Sequence, residues 1–309
     1  MKKGILLSAF LILASVGFTY AQDKTKVVAV TGTPVIWEQV DVASRDLYWG
    51  PGGQAGFPVL KDARFIGRNI GGNNLKYEIE DGAKHRWIVK VADESQPEVA
   101  ATRLLWALGY HTEVDYIVPK IAIDKVGNYS NVRFELRPDG VKRGERWAWM
   151  DNPFKDSREL AGLKIMMALI NNWDLKDENT ITVLRDGKLY YVVSDLGSSF
   201  GKLADKSMSR TGRSVNDPDD YSKANFIKGV NNGVLVLDYR GINENVVKDV
   251  KVEHARWLTD LLLQLSDKQI SDAFRAANYK PEEIATYTQA VKARIAALDK
   301  ATQAQVAEN

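Results

Sequence analysis

The pattern of apolar and polar positions changes character near residue 138. Before it, the chain alternates. LKYEIE at 75–80 and HRWIVKV at 85–91 place apolar side chains at every second position on either side of Asp81-Gly82, which predicts a β-hairpin. YIVPKIAI at 116–123 and NVRFELR at 131–137 predict two more strands. One helix interrupts them, PEVAATRLLWAL at 97–108, with Pro97 in its first turn and Gly109 ending it. GPGGQAG at 50–56 reads as a turn-rich loop, and residues 22–34 as a loosely held polar lead-in.

Beyond residue 138 helices dominate. Ser157 caps an apolar helix running to about Asn171. Two short strands, 181–184 and 189–193, flank an Asp186-Gly187 turn. Helices follow near 251–265, 267–276 and 281–300, with breaks at Ser266 and Lys280-Pro281, and the tail TQAQVAEN is expected to fray. Trp257, Leu258, Leu261, Leu262 and Leu265 fall on one helix face and read as core. The expected class is α+β, a small strand-rich lobe ahead of a larger helical one.

Composition narrows the field. The chain has no Cys, which excludes disulfides, thiolate zinc sites and a lipid-modified cysteine. His85, His111 and His254 lack metal spacing, and a net charge of +2 gives no sign of a nucleic-acid partner. Met1-Lys2-Lys3, the apolar run Gly4 to Phe18 and Thr19-Tyr20-Ala21 match the three regions of a signal peptide over residues 1–21, with Gln22 starting the mature chain. The run is shorter than the roughly 20 residues a bilayer span needs, so a retained anchor is the weaker reading and no transmembrane span is expected after cleavage. Export without disulfides suits a bacterial protein, periplasmic or secreted.

Phosphoryl transfer from a nucleotide asks for a lysine at the phosphates, a helix carboxylate to hold it, a second carboxylate for the acceptor hydroxyl, and oxygen donors for magnesium. Lys90 stands near the end of the strand WIVKV, and Glu98 in the first turn of the next helix. Each also fits a plain structural role, Lys90 as a strand-end surface lysine and Glu98 as a carboxylate favoured by the helix dipole. Gly67, Gly71 and Gly72 form a glycine loop upstream of Lys90 whose amides could approach phosphates, with Gly50-Pro51-Gly52-Gly53 as a competitor.

The sharper signal is Asn171-Asn172-Trp173-Asp174-Leu175-Lys176-Asp177-Glu178-Asn179 after the apolar helix, followed by a hairpin and Ser194-Asp195-Leu196-Gly197. Asp174 and Asn179 have the D-x-x-x-x-N spacing of a kinase catalytic loop, and Asp195-Leu196-Gly197 resembles D-F-G. Asn172-x-Asp174-x-x-x-x-Asn179 is also similar to the loop of HipA-type kinases, with Lys176 in place of a His, and Glu98-AATRLLWALGY resembles the glutamate helix of those kinases and of phosphatidylinositol kinases. The resemblance, to the protein-kinase-like superfamily, spans roughly residues 65–200. It implies a two-lobed fold, residues 22–138 as N-lobe and 139–309 as C-lobe. It also implies ATP as co-substrate with Mg2+ or Mn2+, and an acceptor hydroxyl on a protein, lipid head group or small molecule.

By that resemblance Lys90 contacts the nucleotide phosphates and pairs with Glu98, Asp174 orients the acceptor, Lys176 neutralises the transferred group, and Asn179 and Asp195 hold the metal. Trp173 replaces the arginine that commonly precedes the aspartate, and no A-P-E-like signature follows, so an ordinary protein kinase is disfavoured. Trp147 and Trp149 are expected at the lobe interface, with stacking on adenine as the other reading. Residues 198–228 read as a solvated loop, or as a basic patch (Lys202, Lys206, Arg210, Arg213) for an acidic substrate. An exported chain meets little ATP, so a catalytically silent, pseudokinase-like binding or scaffold protein is the alternative to an active enzyme. No G-x-S-x-G elbow supports a hydrolase.

Overall fold

The computed structural model describes residues 30–69, 74–203 and 212–306, with side chains to residue 303. The expected signal peptide, Gly71, Gly72, Lys206 and Arg210 lie outside the described residues.

After a short strand β1 (Thr33–Val35) come β2 (Arg64–Asn69), β3 (Leu75–Glu80), β4 (Arg86–Val91), helix α1 (Ser95–Ala107), β5 (Asp115–Ile123) and β6 (Gly127–Arg137). Strands β2 to β6 form one antiparallel sheet in the order β2-β3-β4-β6-β5. Its register sets the site: Lys90 lies directly opposite Lys76 on β3 and Arg133 on β6, so the three side chains share a face. The other face packs its own apolar cluster around Trp87, Phe134 and Tyr116. The β3–β4 corner is held by Asp81, whose carboxylate accepts from the backbone N–H of Val59, Ala83 and His85 and from the Trp87 indole.

The second lobe contains β7 (Lys142–Arg143), α2 (Arg158–Leu169), β8 (Thr180–Arg185), β9 (Lys188–Val193), α3 (Pro218–Lys223), β10 (Ile227–Asn231), β11 (Val234–Leu237), α4 (Val252–Leu262), α5 (Asp267–Ala276) and α6 (Pro281–Val306). Helix α2 is apolar nearly all round and is accordingly buried from Leu160 to Leu169. Ser157 caps it by accepting from Leu160 N, and Ser266 starts α5 with a capping box. No helix of the described residues is long and apolar enough to cross a membrane.

Several expectations need correction. The lead-in is not loose at its end, because β1 pairs in parallel with β9 and joins the sheet β1-β9-β8-β7. Residues 198–228 are not one solvated loop: α3 lies within them, and the hairpin β10–β11 begins there. That hairpin turns on Asn232 and Gly233, both at positive φ (49° and 74°), an Asn-Gly signal that sequence reasoning passed over.

Helix α1 is the joint between lobes. Its apolar residues Val99, Leu104 and Leu105 belong to the large helical core rather than to the sheet's cluster. Gln96 donates to the carbonyl oxygens of Ala277 and Asn278 just after α5. Its first turn is tied to β4, where Ser95 Oγ donates to the Lys90 carbonyl.

Candidate active site

The sheet half of the site is a buried ion cluster. Lys90 Nζ lies 3.0 Å from Glu98 Oε2, 2.9 Å from Glu94 Oε2 and 3.7 Å from Asp195 Oδ1. Burial alone would lower the lysine's pKa, but Glu98, Asp195 and Glu94 outweigh it and push it up, so Lys90 stays an ammonium. Burial pushes the Glu98 carboxyl up, and the two cations beside it, Arg133 and Lys90, pull against that shift. Arg133 Nη1 lies 3.3 Å from the other Glu98 oxygen.

Arg133 extends the cluster across the sheet, away from Asp195. It also reaches Asp115 at 3.0 Å, Glu135 at 2.9 Å and Glu113 at 3.4 Å. Asp115 in turn accepts from Thr102 and Arg103, both on α1. Glu98, Thr102 and Arg103 thus pin one face of α1 to the sheet at three points. A buried charge left without its partner costs several kcal/mol, so these contacts hold the helix in one position.

The loop half begins where α2 ends. Asn171 takes a left-handed conformation (φ 52°) and donates from Nδ2 to the Gly201 carbonyl. Arg294 closes the helix end on the Leu169 carbonyl and on Asn171 Oδ1. Asn172 Oδ1 accepts from Asp174 N, fixing the next turn. The Asp174 carboxylate receives Lys176 Nζ at 2.7 Å on one oxygen, and Lys176 Nζ (3.1 Å) and Asn179 Nδ2 (3.0 Å) on the other. Asn179 Nδ2 also donates to the Asp174 carbonyl.

The two halves meet across the open end of the β8–β9 hairpin. Thr180 pairs with Val193, and beyond that pair Ser194 N donates to the Asn179 carbonyl at 2.9 Å. Asp195 follows, its Oδ1 accepting from Gly197 N and facing Lys90. Leu196 is fully buried in the helical core. A Cβ at Gly197 would come within 2.6 Å of the Glu94 side chain, so glycine is what lets this segment pass the start of α1.

Of the residues singled out from sequence, Lys90, Glu98 and Asp195 are brought together directly, and Asp174, Lys176 and Asn179 form a second group beside them. Gly67 is a correction. It lies inside β2 at a bulge, paired with Glu78, and a Cβ there would meet nothing. The competing Gly50–Gly53 turn is structural, since Cβ atoms at Gly50 and Gly52 would strike Arg103 and the Tyr116 hydroxyl. Trp147 and Trp149 are buried against each other at 4.8 Å, away from solvent, and their backbone N–H groups donate to Thr180 and Asp177 of the loop. Lys202 is paired with Asp220, and Arg213 stacks on Trp173 at 4.9 Å. Sequence reasoning missed Glu94 and Arg133. Glu94 stands four residues after Lys90, and Arg133 falls in the strand predicted at 131–137, yet only the sheet register makes it Lys90's neighbour.

Among the described residues no group of three or more His, Asp or Glu side chains is placed to hold a metal ion. Asn179 and Asp195 nevertheless fit a hard cation that keeps waters and shares phosphate oxygens. Both offer oxygen, the Asn179 amide nitrogen is already used on Asp174, and Asp195 is 39% exposed.

A sheet lysine held by a helix glutamate, an Asp–Asn loop after a buried helix, and Asp-Leu-Gly after a hairpin give the chain a two-lobed, protein-kinase-like fold. No family model matches the chain, and no curated protein is similar to it in sequence. Solved structures similar to it include the Helicobacter pylori proinflammatory kinase CtkA, at 10% identity and a TM-score of 0.49, over 81% of this chain and 99% of that one. The Golgi casein kinase matches at 11% identity and a TM-score of 0.44, over 79% and 73%. Its form with Mn/ADP bound matches at 9% and 0.41, over 78% and 73%.

Proposed function

We propose that the chain is an atypical, exported phosphotransferase, using ATP with Mg2+ or Mn2+ and acting on a hydroxyl acceptor in the periplasm or outside the cell. The observation that carries this reading is Asp195. Its carboxylate sits 3.7 Å from Lys90 while its neighbour Ser194 is hydrogen-bonded to Asn179, so a phosphate-binding and a metal-binding group share one cleft with the Asp174 loop.

In this reading Lys90 and Glu98 organise the phosphate end of the cleft. Asp174 orients the acceptor hydroxyl and takes its proton as the acceptor oxygen bonds to the γ-phosphorus. The bond from that phosphorus to the β–γ bridging oxygen breaks, and ADP leaves with the electron pair. Lys176, already on Asp174 and 40% exposed, offsets charge on the moving phosphoryl group. A divalent cation on Asn179 and Asp195 would neutralise the phosphate oxygens.

The test is label transfer from γ-labelled ATP, with either cation, to the protein itself, to casein-like peptides, to lipid vesicles and to small polyols. Transfer by wild type that falls about 100-fold or more in Asp174→Asn, with nucleotide binding retained, supports the enzyme. Nucleotide binding with no transfer to any acceptor favours the silent, scaffold-like alternative.

A further inference from the structure

We infer that Lys76 is a second phosphate-contacting residue of this cleft, beside Lys90; the inference rests on the nucleotide reading above. Lys90 has three N–H donors, and two carboxylates lie within reach of them. Glu98 accepts one at 3.0 Å and Glu94 stands at 2.9 Å, with Asp195 farther off at 3.7 Å. An ammonium among three carboxylates presents little net positive charge to an anion. Glu94 is not free to turn away either, since Asn74 Nδ2 donates to its Oε2 at 2.6 Å.

Lys76 is placed differently. It stands directly opposite Lys90 in the β3–β4 register, on the same face, half-buried. No carboxylate of the described residues is ion-paired with it; Asp195 and Glu98 reach it only as longer-range charges. Like charges directly opposite on a sheet face repel, and a row of Lys76, Lys90 and Arg133 is three cations wide. Arg133 is consumed by four carboxylates behind the cleft. Lys76 therefore retains its donors, with the uncharged Asn69 of β2 as its neighbour on the side away from Lys90. Burial first, then Lys90, pull its pKa below the ordinary lysine value, an imbalance that a bound phosphate would relieve.

The test uses calorimetric titration of wild type, Lys76→Met and Lys76→Arg with tripolyphosphate and with Mg-ATP. Met keeps the apolar stem, and thermal melts check that both variants fold. Lys76→Met should weaken tripolyphosphate and ATP by about tenfold to a hundredfold, the value of one charge-assisted hydrogen bond, with Lys76→Arg recovering most of the loss. Unchanged affinities in Lys76→Met would overturn this inference and leave the nucleotide reading standing. Wild type that takes tripolyphosphate through Lys76 but refuses ATP would sink the nucleotide reading and keep the phosphate contact. Binding of neither ligand would overturn both.

Discussion

The two halves of the cleft are built on opposite principles. On the sheet side, Lys90, Glu98 and Arg133 are each less than 5% exposed, and each of these three meets at least two opposite charges. On the loop side, Asp174 is 15% exposed, and Lys176 and Asp195 about 40%, each with few partners. The sheet half is part of the fold, because its charges have no water to fall back on and must be paired within the protein. The loop half keeps its solvent face, as the proposed entry of a nucleotide, a cation and an acceptor requires. Helix α1 separates these roles physically, since it carries Glu98 yet packs into the helical core.

The sharpest way to break that comparison is a matched pair of substitutions. Arg133→Met removes the cation shared by Glu98, Asp115, Glu113 and Glu135, leaving each with a single neighbouring residue to balance it or nearly so (Lys90, Arg103, Arg143 and Arg137), and should cost about 3–5 kcal/mol in urea unfolding. Lys176→Ala removes only a half-exposed partner of Asp174 and should stay within about 0.5 kcal/mol while lowering transfer. A small loss in Arg133→Met, or a large one in Lys176→Ala, would erase the distinction between halves.

A weaker effect is expected at the far corner of the sheet. Burial raises the Asp81 carboxyl, but the hydrogen bonds from His85, Val59 and Trp87 more than offset it and leave its pKa lowered. A carboxylate with a depressed folded pKa contributes stability above its unfolded value of about 3.9, and that stability is lost as pH falls through the folded value. Asp81→Asn should therefore cost about 1–3 kcal/mol at pH 7. The gap to wild type should narrow below about pH 4. A gap independent of pH would mean that Asp81 acts through shape rather than charge.

How much of this was legible in the sequence follows from distance along the chain. The β3–β4 hairpin and the α1 and α2 helices are written in local periodicity, and their ends fall within three residues of expectation. The Asp174–Asn179 loop carries its own hydrogen bonds and a short spacing, so it reads directly. Arg133 does not, because its meaning arises when β6 is laid beside β4, 43 residues from Lys90 by the sequence numbering. Glu94 was hidden for another reason. It looks like any acidic residue before a helix until Gly197, about a hundred positions on, lets the Asp195 segment pack against it. Gly67 was read as loop and lies in a strand bulge, because a glycine in either place looks alike in sequence.

The central claim, that these halves together form a nucleotide cleft completed by Asp195, is tested most directly by ligand-linked stability. Mg-ATP at about 100 times its dissociation constant should stabilise the wild-type chain by roughly 2.7 kcal/mol, and Asp195→Ala should lose most of that gain while melting normally without ligand. No change in wild-type stability with millimolar ATP and either Mg2+ or Mn2+, or an equal gain in Asp195→Ala, would contradict it.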